Sequence, residues 1–254
     1  TFMIKKIGVF LACGLLLIPL ASQAASPSMK AKLNGKILLQ VQSRGEAWYV
    51  NPTDGKRYFL GSPEMAIGVF SRVGLGITNS QLLKIPLGFN ASGGLFGVPM
   101  GREIDNDGDS IPDEYEAALG TQPSLADSDN DGFNDFDEIR AGYDPMMSGA
   151  RLPVSDKTLA NRLKGRIMLQ VESRGQAWYI NPADGRRYYL GTPERALAGM
   201  RFFGLGITNA DITQLQEGPG AIASSPDLVD CGMSDIENEA AMQACFGPQF
   251  RTCS

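Results

Sequence analysis

Residues 35–64 read GKILLQVQSRGEAWYVNPTDGKRYFLGSPE, and residues 165–194 read GRIMLQVESRGQAWYINPADGRRYYLGTPE. Around these stretches, Leu33–Asn79 aligns on Leu163–Asn209 without gaps at a constant offset of 130, with 29 of 47 positions identical. Such a period marks the duplication of a module of about 50 residues, not a solenoid of many short repeats. In the first copy the aliphatic run Ile37–Val41 predicts a strand, Ser43-Arg44-Gly45 a turn and Ala47–Val50 a second strand. Asn51-Pro52-Thr53-Asp54-Gly55 predicts a hairpin loop leading to a third strand over Arg57–Leu60. Ser62-Pro63-Glu64 then carries a helix start: a hydroxyl N-cap, Pro at the first helical position and an early acid. That helix runs to about Arg72 and is ended by Gly74-Leu75-Gly76, with Thr78 or Asn79 capping a short helix over Ser80–Lys84. The second copy repeats the signals at Thr192-Pro193-Glu194 and Thr208-Asn209. The expected class is α+β: two β-meander-plus-helix modules, residues 30–86 and 158–217.

Between the modules lies an acidic stretch. Asp105-x-Asp107-x-Asp109-Ser-x-x-Asp113-x-x-Glu116 is followed, 22 residues on, by Asp127-x-Asp129-x-Asp131-Gly-x-x-Asp135-x-x-Glu138. Acids at positions 1, 3, 5, 9 and 12 suit a hard cation that takes about 6–8 oxygens, with two Ca²⁺ ions expected and Mg²⁺ disfavoured. The position-7 carbonyls of Ile111 and Phe133 would add an oxygen each, and position 9 can ligate through water. Position 6 needs an unusual backbone conformation that Gly132 suits, whereas Ser110 departs from the pattern. Short helices are expected over Asp113–Leu119 and Asp135–Ala141, ended by Gly120 and Gly142. The Gly-rich linker 87–103 cannot form the entering helix of a full EF-hand. The alternative reading of 104–146 is a solvated acidic linker without a specific ion; two loops in one register argue against it. The spacer Gly120–Ala126 with the Asp-Ser-Asp-Asn-Asp-Gly run resembles thrombospondin type 3-like calcium repeats of bacterial surface proteins, over about residues 105–145. The resemblance implies Ca²⁺ held by the ten acids named above.

Charge is segregated along the chain. The net value of −5 divides into +5 over Lys30–Ile85, −12 over Pro86–Asp144, +4 over Pro145–Glu217, −4 over Gly218–Ser254 and +2 before Lys30. The chain has no histidine, which excludes Ser-His-Asp and Cys-His catalysis and His-ligated zinc. Lys5-Lys6, the apolar run Ile7–Ala21 and Ser22-Gln23-Ala24 describe a secretory signal peptide over 1–24, with cleavage expected after Ala24 and no membrane span thereafter. Cys231, Cys245 and Cys253 lie in a tail, 218–254, that is expected to be truncated. Ser234-x-x-Glu237 there is a capping box opening a helix through about Phe246, which one disulfide would pin.

The aromatic and basic side chains of the repeat, Trp48, Tyr58 and Arg57 with Trp178, Tyr188 and Arg187, are candidates for a ligand platform. Strand alternation sends Trp48 and Tyr49 to opposite faces, so one should be core and the other outward. The same rings equally suit cross-strand pairs that cover a small core. The repeat resembles modules of exported bacterial proteins that lack an assigned activity, which supplies no functional residues. No nucleic-acid motif is present. The expected function is therefore an exported, non-catalytic calcium-binding protein of the cell envelope or matrix, secreted or periplasmic. Ca²⁺ would rigidify a spacer between the modules, and the partner would be an anionic wall or extracellular polysaccharide or another surface protein. The alternative is the targeting region of a longer secreted wall- or polysaccharide-degrading enzyme.

Overall fold

The computed structural model describes residues 27–90, 94–95 and 103–219. The expected signal peptide over 1–24, the three tail cysteines with their expected helix and disulfide, and much of the Gly-rich linker lie outside the described residues. Among the described residues no helix is long and apolar enough to cross a membrane.

The chain opens with helix α1 (Pro27–Leu33), followed by β1 (Ile37–Gln40), β2 (Ala47–Val50) and β3 (Arg57–Phe59). Helix α2 (Pro63–Val73) follows, then β4 (Leu75–Ile77) and α3 (Asn79–Leu82). The acidic segment supplies α4 (Asp113–Leu119) and α5 (Asp135–Ala141). The second copy repeats the series as α6 (Lys157–Leu163), β5 (Ile167–Gln170), β6 (Ala177–Ile180), β7 (Arg187–Tyr189), α7 (Pro193–Phe203), β8 (Leu205–Ile207) and α8 (Asn209–Ile212). The class is α+β, with three strands and two helices of each copy where the sequence puts them. Ser62 and Thr192 cap α2 and α7 by accepting from the amides of Met65 and Arg195, which satisfies one of the free N–H groups of each first turn.

Two elements of each copy are additional to the sequence reading. One is the helix before the meander. The other is the three-residue strand that follows Gly74 or Gly204, and it reorganises the molecule. β4 pairs in parallel with β5 of the other copy, Leu75 against Met168, and β8 pairs in parallel with β1, Leu38 against Leu205. The sheets therefore run β3-β2-β1-β8 and β4-β5-β6-β7, each completed by a strand from the other copy. A single residue, Gly74, joins α2 to β4. With no loop in which to turn back, the chain runs on into its neighbour. A side chain at Gly74 would lie 2.8 Å from Leu169 Cγ, and one at Gly204 2.5 Å from Leu39 Cγ, so the crossing requires glycine.

The copies also meet at their centres. Gly35 and Gly165 touch backbone to backbone, both at positive φ (+73° and +75°), and a Cβ on either would lie 2.5 Å from the other's Cα. Tyr49 donates to the Gly165 carbonyl and Tyr179 to the Gly35 carbonyl, each at 2.7 Å. One shared core, including Ile37, Tyr49, Phe70, Ile167, Tyr179 and Met200, draws on both copies. The copies thus do not stand apart on either side of a spacer. The acidic segment instead folds back onto the second sheet, where Ile111, Tyr115, Ala118 and Ile139 join a core with Met168, Trp178, Ile180 and Tyr189.

This packing corrects the aromatic platform. Trp48 and Tyr49 do point to opposite faces, but neither ring is outward: Trp48, Tyr49, Trp178 and Tyr179 are all buried. Tyr58 and Tyr188 are buried and donate to Asp54 and Asp184 of their own hairpins. Arg187 is 4% exposed and lies over the Trp178 ring. Arg57 covers Trp48 and pairs with Glu217 at 3.0 Å. The six residues hold the sheets together and offer no open stacking surface.

Candidate metal centre

Each acidic loop is curled by its own carboxylates. In the first, Asp105 accepts from the amides of Gly108 (2.8 Å) and Ser110 (3.2 Å), Asp107 from Asp109 N (3.2 Å) and Asp109 from Ile111 N (2.7 Å). In the second, Asp127 accepts from the amides of Asp131 (3.2 Å) and Gly132 (2.7 Å), Asp129 from Asp131 N (3.1 Å) and Asp131 from Phe133 N (3.2 Å). The result is two triads, Asp105-Asp107-Asp109 and Asp127-Asp129-Asp131. Within each, one carboxylate oxygen per residue lies within 4.8 Å of the other two, a spacing that could hold a metal ion. Position 6 has the expected left-handed backbone in both loops, φ +85° at Ser110 and +99° at Gly132. Ser110 thus adopts the conformation that glycine takes more cheaply.

The position-12 acids complete the picture. Glu116 is fully buried and Glu138 is 5% exposed. Glu116 accepts from the Thr121 hydroxyl at 3.2 Å through one oxygen. Its Oε2, Oδ2 of Asp107 and Asp109, Oδ2 of Asp129 and Oε2 of Glu138 are buried with no hydrogen-bond partner among the described residues. A buried carboxylate oxygen without a donor is costly. Five of them around two triads match what a divalent cation would relieve. Burial, reinforced by the Asp107 and Asp109 charges, pushes the Glu116 carboxyl up to about 8. Burial and the charges of Asp129 and Asp131 push Glu138 up to about 7. Asp109 rises to about 6, again through burial first. Asp129 and Asp135 are raised for the same reason.

The side chains at positions 7 and 9 have structural roles of their own. Ile111 is fully buried and anchors its loop in the core, whereas the Phe133 ring is 66% exposed. Asp113 and Asp135 stand at the first helical positions and act as latches. Asp113 accepts from the backbone and side-chain nitrogens of Asn106, at 3.0 and 2.5 Å. Asp135 accepts from the amide and hydroxyl of Ser128, at 2.8 and 2.6 Å. Both oxygens of each carboxylate thereby close the loop onto its second residue. Asp135 nonetheless feels both loops, since Asp127 and Asp107 each help to raise it.

The sequence reading did not identify Asn106, Ser128 and Thr121 as supports. A polar side chain at loop position 2, seven residues before an Asp, is the signal that could have found the first two. It also missed the anchor on the far side: Arg195, buried on α7, pairs with Glu103 and lies 4.5 Å over the Tyr115 ring. Its counterpart in the first copy is Met65. The second copy thus carries a charged residue where the acidic segment docks.

Comparison with known proteins returned no matching family model and no significant match to a curated protein or to a solved structure.

Proposed function

We propose that the chain is an exported, non-catalytic calcium-binding protein of the cell envelope or extracellular matrix, in which two Ca²⁺ ions clamp the acidic segment as a cover over the second sheet. The observation that carries this reading is the pair of buried position-12 acids, Glu116 and Glu138, each with an unpartnered oxygen and each raised by burial and then by the charges of its own loop's aspartates. The ligand set proposed for the first ion is Asp105, Asp107, Asp109, the Ile111 carbonyl and Glu116. For the second it is Asp127, Asp129, Asp131, the Phe133 carbonyl and Glu138, with Asp113 and Asp135 holding the loops closed. Strand exchange already fixes the distance between the copies, so the ions act as a local clamp rather than as a ruler. Affinities of about 10⁻⁴–10⁻³ M, usual for extracellular calcium modules, would keep the clamp constitutively loaded outside the cell. Exposed Arg44, Arg174 and Arg186 suit an anionic envelope polymer as the partner.

Calorimetric titration of the full chain with Ca²⁺ and with Mg²⁺ tests the reading. Two calcium sites are expected, and Glu116→Gln or Glu138→Gln should weaken its own site by about tenfold to a hundredfold, at least the cost of losing a support of a metal ligand. Absence of calcium heat in the unaltered protein, or binding by both variants equal to that of the unaltered protein, would overturn it.

A further inference from the structure

The two sheets have the same outer face but not the same cover. On the second sheet, Tyr115 of α4 meets the rings of Trp178 and Tyr189 at 5.8 and 4.9 Å, and the Ala118 carbonyl accepts from Gln170 Nε2 at 3.1 Å. Trp178 and Tyr189 are at most 2% exposed there. On the first sheet the equivalent residues are Trp48, Phe59 and Gln40, beside Leu205 in the place of Leu75. Trp48 is 9% exposed, Phe59 and Gln40 are half-buried, and Leu205 is 45% exposed. Among the described residues, Phe59 and Leu205 thus leave an apolar margin uncovered beside the buried Trp48, where a helix closes the twin.

The chain leaves both copies by the same route. Gly88 donates to the Arg187 carbonyl and Gly218 to the Arg57 carbonyl, at 2.9 and 2.8 Å. Each glycine lies against a tyrosine ring, Tyr188 or Tyr58, that a Cβ would strike. From Gly88, 27 residues bring the chain to Tyr115 above Trp178, and 36 residues follow Gly218. The charges match as well: the −12 segment lies on the second copy, and the −4 stretch Gly218–Ser254 starts beside Arg57 of a first copy of +5. The sequence there carries the capping box at Ser234 and an apolar set that includes Ile236, Met242 and Phe246.

We propose that residues 219–254 dock on the outer face of the first sheet, over Trp48, Phe59 and Leu205, as the acidic segment docks on the second. Unlike the acidic segment, this cover carries no Asp-x-Asp-x-Asp run, and its docking is expected to be independent of Ca²⁺.

The full chain carrying benzoylphenylalanine in place of Phe59, or separately in place of Leu205, tests this. On irradiation the probe should join a peptide within 219–254 of the same molecule, in the presence or absence of chelator. Crosslinks to other peptides only would overturn the proposal. So would joints between differently isotope-labelled chains in a mixed sample, which would make a second copy the cover. A protease site inserted after Pro219 gives an independent readout. Cleavage after folding and removal of the tail should raise carbene labelling of Phe59 and Leu205 and leave Tyr189 unchanged, whereas unchanged labelling at both would count against it.

Discussion

Ser110 is a serine held at φ +85°, in the position where the second loop has Gly132. A non-glycine residue in this region costs about 1–2 kcal/mol. Ser110→Gly is therefore expected to stabilise the protein by about 1 kcal/mol, partly offset by the extra freedom glycine gives the unfolded chain. Thermal unfolding measures it, and a drop in stability would show that the serine side chain holds the loop. The buried acids give a second expectation. Asp109, Glu116 and Glu138 have native pKa values raised to about 6, 8 and 7. Their protonated forms are thus favoured in the calcium-free fold. That contribution is fully present below their ordinary carboxylate range and is lost as pH rises through about 8. Chelated protein should unfold more readily at pH 8.5 than at pH 5.5, and saturating Ca²⁺ should reverse the order, because the ion binds the charged forms. Equal melting at both pH values without calcium would contradict the burial of these acids.

At the scale of elements, the hairpins, helices α2 and α7 and the two loop helices follow from local signals. α4 and α5 have the expected bounds, since an Asp opens each and a left-handed glycine, Gly120 or Gly142, ends it. β4 and β8 were not legible. Leu-Gly-Ile is three residues long, too short to show alternation, and its glycine reads as a helix stop. The contact between turns depends on Gly35 and Gly165 in the same way. Gly165→Ala adds a Cβ 2.5 Å from the Gly35 backbone at a positive φ, so it should cost more than about 2 kcal/mol, the range of a strained and overpacked core position. Tyr49→Phe, which only removes the buried hydroxyl from the Gly165 carbonyl, should cost about 1–3 kcal/mol. Denaturant unfolding of both variants checks the ranking. An alanine at 165 that melts like the parent would mean that the copies do not meet there.

For the whole molecule, exchange makes each copy incomplete by itself. A fragment of residues 27–90 lacks the strand that completes its sheet, yet carries β4, the strand that a second such fragment needs. Because the contacts across the centre are reciprocal, with Tyr49 on Gly165 and Tyr179 on Gly35, two copies of the fragment can repeat the same arrangement. The fragment is expected to be a dimer by light scattering, and a folded monomer of it would contradict the exchange. The acidic segment belongs to one side only, since its helix α4 sits on Trp178 and Tyr189 while Arg195 grips it through Glu103 and Tyr115. The −12 charge that reads as a linker is in the structure a lid on a basic module. Only distant residues, such as Arg195 against Met65, mark which module it covers.

The sequence by itself determined the duplication, the strands of each meander, the capped helices and the two acid triads, because caps, hairpin loops and Asp-x-Asp-x-Asp runs act over a few residues. Tertiary structure alone decided three things: which copy each short strand joins, which aromatic face stays covered, and that the position-9 aspartates latch their loops. Both copies contain the same Gly-Leu-Gly-Ile-Thr-Asn, so a strand's own sheet and its neighbour's offer it almost the same partner. Local sequence cannot separate two such pairings. The one-residue joint at Gly74, the glycine contact at 35 and 165 and the core shared by both copies do.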